Sequence, residues 1–467
     1  MTRLPDEFTA MLAAMGPDYA ALADVLTSEP APAAIRLNAG KPSAPPAGGV
    51  PVPWCPGGYL LPERPRFTLD PALHQGLYYV QDSSSMAHGE AVAAAVAALG
   101  EATRRPLRYL DACAAPGGKT VCAIDRLPTD AFIVANEFDP RRAAVLVENL
   151  AKHGSGRAVV TRGDASAISG PEAFFDIIAA DVPCSGEGMM RKEEAAAAQW
   201  SPGLVASCAA LQRRIVDNLW PMLRPGGCLI YSTCTFNRSE NESVVQHVID
   251  ELGAEALPVA ALGRPEIASA AGAAFPAYRF LPGRVRGEGQ FIALLRKPGD
   301  NTDAEKPSRK PPKAGKSAKN GRPQPAVIDI GSLLRGDWIL DPASDEPIAV
   351  PGNHLADLAT VRSSFHVLSA GIPLGTVKGR DFVPWQSLAL ARDLQPTAFP
   401  RICVDLPKAL DYLRRQAVAL PDGTPRGIVL LCHASPGSVA YPLGFVKNLG
   451  SRANNLYPAP WRILSAP

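Results

Sequence analysis

Residues 107–124 read LRYLDACAAPGGKTVCAI, an apolar run that enters a glycine-containing loop. The end of the loop, Gly118-Lys119-Thr120, looks like the tail of a phosphate-cradling loop of pattern G-x-x-x-x-G-K-[ST]. The first glycine of that pattern falls on Cys113, which cannot take the positive φ that glycine adopts without strain. The loop therefore has a different use, and the segments downstream of it indicate which.

Residues 107–297 alternate strand and helix patterns, the signature of an α/β doubly wound sheet. Strands are expected at LRYLDACA, AFIVANEF, AVVTRGD, FDIIAAD, GGCLIYST and QFIALLRK. DPRRAAVLVENLAKHG, with Asp139-Pro140 at its start and Gly154 at its end, carries the capping residues of a helix. CAALQRRIVDNLWPML reads as a second helix, ended by Arg224-Pro225-Gly226-Gly227.

Outside this region, 1–106 reads as a smaller α+β unit, 107–298 as the catalytic unit, 299–325 as a flexible basic linker, and 326–467 as a β-rich unit with many turns. From Lys306 to Arg322 there are seven basic residues and no acidic one, among Pro, Gly, Ser and Ala. The chain has 467 residues, enough for several domains at about 150 residues each. Its net charge of +2 neither requires nor excludes a polyanionic partner. The amino terminus lacks a signal-peptide layout, and the run AVAAAVAALG is too short to span a bilayer. Nine scattered cysteines with no C-x-x-C pair fit a reduced, cytoplasmic protein without a disulfide framework, and no metal site is expected.

In an open α/β sheet, ligands bind outside the carboxyl ends of the strands. Glu137, in VANEFD, ends the second strand 20 residues after Gly117, the spacing at which an acidic side chain accepts ribose hydroxyls. Asp164, in TRGDAS, ends the third strand, where a carboxylate can take an adenine amino group. Together with the Gly117-Gly118 loop these residues suggest an adenosyl cofactor. Cys184, in AADVPCSGEG, and Cys234, in YSTCTFN, end two strands expected to be neighbours, so both thiols should enter one crevice. Cys122, Cys208 and Cys228 read instead as packing residues.

Beside an adenosyl methyl donor, a thiolate that adds to C6 of cytosine turns C5 into a carbon able to take the methyl group. Removal of the C5 proton and loss of the thiol then require a base and an assisting group. Cys184, Cys234 and Asp181 supply such a set, and the residues alone do not choose which thiol attacks. Two other classes remain open here. FDIIAAD resembles a strand that ends in the magnesium-holding Asp of a nucleotide hydrolase, and a non-catalytic RNA-binding factor could share the fold.

DACAAPGGKT, ANEFDPRR, DVPCSGEGMMRK and STCTFNRSENESVV resemble the signature segments of the Nop/Sun-type (RsmB/RsmF-like) RNA cytosine-C5 methyltransferases, nearest the bacterial RsmF-like enzymes that act on small-subunit ribosomal RNA. AAIRLNAGKP and YYVQDSSSM extend the resemblance upstream, and PLGFVKNLGSRANNLYPAPWRI resembles that group's PUA-like RNA-binding domain. DVPCSG stands where the family usually has DAPCSG, a change that keeps the Asp, Pro and Cys.

The resemblance implies a Rossmann-like class I methyltransferase sheet, with an amino-terminal RNA-binding region and a carboxy-terminal PUA-like domain. The implied cofactor is S-adenosyl-L-methionine. It would be held by Cys113, Ala114, Ala115, Pro116, Gly117, Gly118 and Lys119, with Glu137 at the ribose, Asp164 at the adenine and Asp181 near the methionine end and the target base. The resemblance further implies Cys234 as nucleophile and Cys184 as the group assisting product release. The implied partner is RNA, specifically small-subunit ribosomal RNA or the subunit itself, with no membrane and no obligatory protein partner. Transfer RNA is the alternative substrate. Arg191 and Lys192 are expected phosphate contacts, and Arg141 is expected to pair with Glu137 or Glu148.

Overall fold

Parallel strands covered on both faces need apolar side chains throughout, and FIVANE, residues 132–137, is buried at every position. It belongs to a ten-stranded sheet in the computed structural model, which describes residues 4–100, 106–270, 272–299, 328–378, 381–435 and 439–464. In chain order the strands are β1 (Arg108–Asp111), β2 (Phe132–Glu137), β3 (Ala158–Arg162), β4 (Phe175–Asp181), β5 (Leu223–Thr233), β6 (Glu255–Leu257), β7 (Ala268–Ser269), β8 (Tyr278–Phe280), β9 (Gln290–Arg296) and β10 (His366–Ala370). Across the sheet they run β7-β8-β9-β5-β4-β1-β2-β3-β10, with β6 paired to β9. β5, β4, β1, β2 and β3 are parallel, whereas β9 and β10 are antiparallel to their neighbours. The strand order turns between β1 and β4, so the crevice for a ligand opens at their carboxyl ends.

Helices α1 (Gly118–Ile124), α2 (Pro140–His153) and α3 (Pro202–Leu219) flank these strands. Asp139 caps α2 by accepting from the amides of Arg141 and Arg142, and Ala143, Leu146 and Leu150 bury its apolar face. α3 starts at Pro202, earlier than the apolar pattern from Cys208 indicates, because the Ser201 hydroxyl accepts from the Leu204 amide.

Upstream, helices Asp6–Met15 and Pro17–Ser28 precede a four-stranded antiparallel sheet centred on Ala34–Leu37 and Gly58–Leu60. Phe8, Leu12, Tyr19 and Leu22 of the two helices pack with Met190, Trp200 and Phe236, next to the loops that follow β4 and β5. In AAIRLNAGKP, Arg36, Asn38 and Lys41 are buried at a junction with α1, α2 and Arg392.

Downstream, Arg401–Cys403, Gly427–His433, Tyr441–Asn448 and Ala453–Asn455 form a four-stranded sheet. One strand of this carboxy-terminal stretch does something its sequence does not announce. β10 lies along the outer edge of β3, pairing His366 with Arg162 and Ala370 with Val159. The basic segment Lys306–Arg322 lies outside the described residues. Among those that are described, no helix is long and apolar enough to cross a membrane.

Candidate active site

The loop after β1 is held from behind by Asn136. Its Nδ2 donates to the carbonyls of Ala112 (3.0 Å) and Gly163 (2.9 Å), and its Oδ1 accepts from Thr161 (3.1 Å). One buried amide thus ties together the ends of β1, β2 and β3, a role the sequence reading missed. Gly117 takes φ 109°, where a side chain is strained, and a Cβ there would sit 3.1 Å from Leu146. A Cβ on Gly118 would sit 3.0 Å from the Tyr79 ring.

Glu137 is buried, and its carboxylate accepts from the amides of Ala115 (3.3 Å) and Asp139 (3.0 Å). The arginine that joins it is Arg142, not Arg141, at 3.7 Å, while Arg142 also donates to the Ala115 carbonyl (2.7 Å). One step along the helix decides which guanidinium points back over the loop. Asp164 is exposed, with Oδ1 engaged by the amide and hydroxyl of Ser166.

A buried carboxylate with spare lone pairs and a loop whose glycines leave no room for side chains fit a ribose-bearing ligand. Cys113 through Lys119, with Glu137 and Asp164, are the residues that would hold an adenosyl group. Asp111, at the base of the loop, accepts from Thr120 (2.7 Å), and burial pushes its carboxyl up to about 7. Burial likewise pushes the Cys113 thiol up.

At the neighbouring strand ends, Asp181 and Ser232 stand opposite each other in the β4–β5 register. Asp181 accepts from Lys119 Nζ (2.9 Å) and Ser232 Oγ (2.8 Å). Burial raises its carboxyl, but the Lys119 charge and these hydrogen bonds outweigh it and hold the group below the ordinary carboxylate range. Lys119 is thus paired with a carboxylate, whereas the hydrolase reading needs it free for a phosphate.

The loops after β4 and β5 bring Cys184 and Cys234 together, with Sγ to Sγ at 3.3 Å. The hydrogen bond to Cys234, followed by burial and the nearby Glu240 charge, pushes the Cys184 thiol well up. Cys184 is a thiol at neutral pH and a strong base once deprotonated. The Gly188 amide donates to the Cys234 carbonyl at 2.8 Å, and a Cβ on Gly188 would lie 2.7 Å from that same oxygen. Only glycine lets the loops approach so closely. Arg191, expected at a phosphate, is buried against Glu288 (3.0 Å) and donates to the Gly287 carbonyl (2.8 Å). Lys192, 3.8 Å from Glu288, stays half-exposed.

Three family models match the chain. The 16S rRNA methyltransferase RsmB/F model covers residues 102–296, the N-terminal domain of 16S rRNA methyltransferase RsmF covers 4–83, and the methyltransferase RsmF PUA domain covers 399–463. Ribosomal RNA small subunit methyltransferase F of Escherichia coli O81 (strain ED1a) is 31% identical over 482 residues, 97% of this chain and 95% of that protein. The protein of that name from Klebsiella pneumoniae (strain 342) is 38% identical over 314 residues, and the match spans 63% of either chain, just under two thirds. Among solved structures, NSun6 from Pyrococcus horikoshii with SFG shares the fold, with a TM-score of 0.53 at 18% identity over 63% of this chain and 99% of that one.

Proposed function

The chain belongs to the 16S rRNA methyltransferase RsmB/F family, and on that premise we propose that it methylates C5 of a cytosine in small-subunit ribosomal RNA through a covalent Cys234 adduct. The observation that carries the reading is the pair of thiols 3.3 Å apart at the ends of adjacent parallel strands, beside the Asp181–Lys119 ion pair. The proposed cofactor is S-adenosyl-L-methionine, which supplies an electrophilic methyl group when bound by the loop Cys113–Lys119 with Glu137 and Asp164.

The Cys234 thiolate forms the bond to C6 of the base, and the displaced electron pair makes C5 nucleophilic. Asp181 lies within reach of both strand ends and stays ionised through Lys119, so it can accept a hydrogen bond from an exocyclic amino group at the target base. After methylation the C5 proton must leave as the C6–S bond breaks and its electrons return to the Cys234 sulfur. Cys184, a thiol hydrogen-bonded to that sulfur, can pass its proton to the departing Cys234 and, left as a strongly basic thiolate, take the C5 proton, so that both cysteines end as thiols. The family resemblance implies these roles for the two thiols, and the hydrogen bond between them with the raised Cys184 thiol supports the reading.

The test uses purified protein, methyl-labelled S-adenosyl-L-methionine and small ribosomal subunits lacking the modification, with transfer RNA as the alternative substrate. Wild type should yield 5-methylcytidine, Cys234→Ala should yield none, and Cys184→Ala should accumulate a protein–RNA adduct on a denaturing gel. An adduct in Cys234→Ala would mean the two thiols have exchanged roles. Absence of 5-methylcytidine from wild type on either RNA would sink the reading.

A further inference from the structure

Two glutamates beneath the thiols are buried without exposure, one on each cysteine loop. Glu187 follows Cys184 in PCSGEG, and Glu240 follows Cys234 in STCTFNRSE. Each reaches across to the other loop. Glu187 Oε2 accepts from the amides of Phe236 (2.6 Å) and Asn237 (3.0 Å), immediately beyond Cys234. Glu240 Oε2 accepts from the amide of Ser185 (2.9 Å), the residue after Cys184, and its Oε1 accepts from the Ser185 hydroxyl (2.5 Å).

We propose that Glu187 and Glu240 are positioning residues for the transfer reaction, a crossed clamp in which the carboxylate of each cysteine loop fixes the backbone beyond the other loop's thiol. The proposal rests on the reading of Cys184 and Cys234 as the reacting pair.

The remaining contacts fit a device that orients groups. Asn237 Nδ2 donates to both carboxylates, to Glu187 Oε1 at 2.8 Å and Glu240 Oε1 at 2.7 Å, and locks the two halves together. Gln212 of α3 donates to Glu240 (2.8 Å) and to the Pro183 carbonyl (2.9 Å), anchoring the Cys184 loop to a long helix. Trp200 donates to Glu187 (3.0 Å), and its ring meets Phe8 of the amino-terminal helix edge-on at 5.3 Å between centroids. The clamp is thereby braced by two separate elements. A buried carboxylate is costly unless its lone pairs are filled by donors, and here three of those donors are backbone amides one to three residues beyond the thiols. The two acids act on different halves of the reaction. Glu187 holds the loop just beyond Cys234, and Glu240 holds the residue next to Cys184.

The experiment uses full-length Glu187→Gln and Glu240→Gln, whose isosteric amides turn a donor toward groups that themselves donate. With ribosomal subunits as substrate, Glu187→Gln should slow adduct formation tenfold or more. Glu240→Gln should slow adduct breakdown tenfold or more, with formation changed less than threefold. Both steps falling in parallel in both variants would overturn the proposal and leave a purely structural role.

A second readout needs no RNA. Oxidised glutathione accepts two electrons as the two thiols close to a disulfide, releasing two molecules of glutathione, and the closure rate reports how well the thiols are held together. Wild type should close readily, and each variant should close at least tenfold more slowly. Closure within threefold of wild type would overturn the clamp whether or not the protein methylates RNA. Should Glu240→Gln fail to fold, Ser185→Ala removes only the hydroxyl bonds and should slow closure by a smaller factor, while an unchanged rate would count against the clamp.

Discussion

Asp125, at the carboxyl end of α1, is the anion on which the amino-terminal region, the methyltransferase sheet and the carboxy-terminal stretch converge. Its carboxylate meets Arg36 Nη1 at 2.6 Å and Arg392 Nη2 at 3.0 Å, and the Arg36 and Asp125 side chains are only 5% and 6% exposed. His153 Nε2 is 3.1 Å away, but burial first, with Arg392 adding to it, lowers that imidazole to about 3. At pH 7 the ring is therefore neutral, and Asp125 is the partner charge for two guanidiniums. Asp125→Asn conserves volume, so no cavity term enters, and the cost is that of leaving buried arginines without their anion, about 3–5 kcal/mol. Urea unfolding followed by fluorescence at pH 7.5 reads the loss. A double-mutant cycle with Arg36→Met should give a coupling of about 2–3 kcal/mol, because the two side chains share one contact. A loss below about 1 kcal/mol, or simple additivity, would show that packing and neutral hydrogen bonds hold the junction and would refute the charge reasoning.

The same site predicts acid sensitivity. His153 has a folded pKa of about 3 against an unfolded value near 6.5, so the unfolded chain takes up the extra proton; stability should be level above about pH 6.5 and fall toward pH 3, by at most about 1.4 kcal/mol per pH unit. Thermal melts across pH should show that slope flattened in His153→Gln. Gly188→Ala introduces a Cβ 2.6 Å from the Glu288 carbonyl and 2.7 Å from that of Cys234, and should cut methyl transfer by roughly 100-fold with a small change in melting temperature; unchanged activity would mean the loops yield freely. Lys119→Met leaves Asp181 without its cation, so the acidic limb of the pH–rate profile should move upward and the plateau fall, and an unmoved limb would remove Asp181 from the titrating groups.

The strand ends were legible because a buried parallel strand writes itself as a continuous apolar run, and FDIIAAD and FIVANE admit few other readings. The neighbouring positions of Cys184 and Cys234 followed from strand order. What escaped depends on contacts far apart in the chain. Glu187 and Glu240 sit among Gly, Ser, Arg and Asn and look solvated until two loops cross over them. Arg191 carries the same charge whether it faces a phosphate or Glu288, and the choice is made by a residue almost a hundred positions later. Nothing local in AAIRLNAGKP announces that Arg36 meets Asp125 or that Lys41 meets the carbonyls of Gln75 and Lys152.

β10 gives the sheet an order of completion in time. The outer edge of β3, Ala158–Arg162, is covered by residues 366–370, which lie outside all three family-matched stretches. At synthesis rates of about 5–20 residues per second, that row of unpaired amides and carbonyls waits on the order of 10–40 s for its partner. A nascent chain paused in this interval offers a ready template for another strand. Only once residues 366–370 are made is this edge closed, and a fragment cut after β9 would keep Cys184, Cys234 and Asp181 while leaving the flank of β3 unpaired.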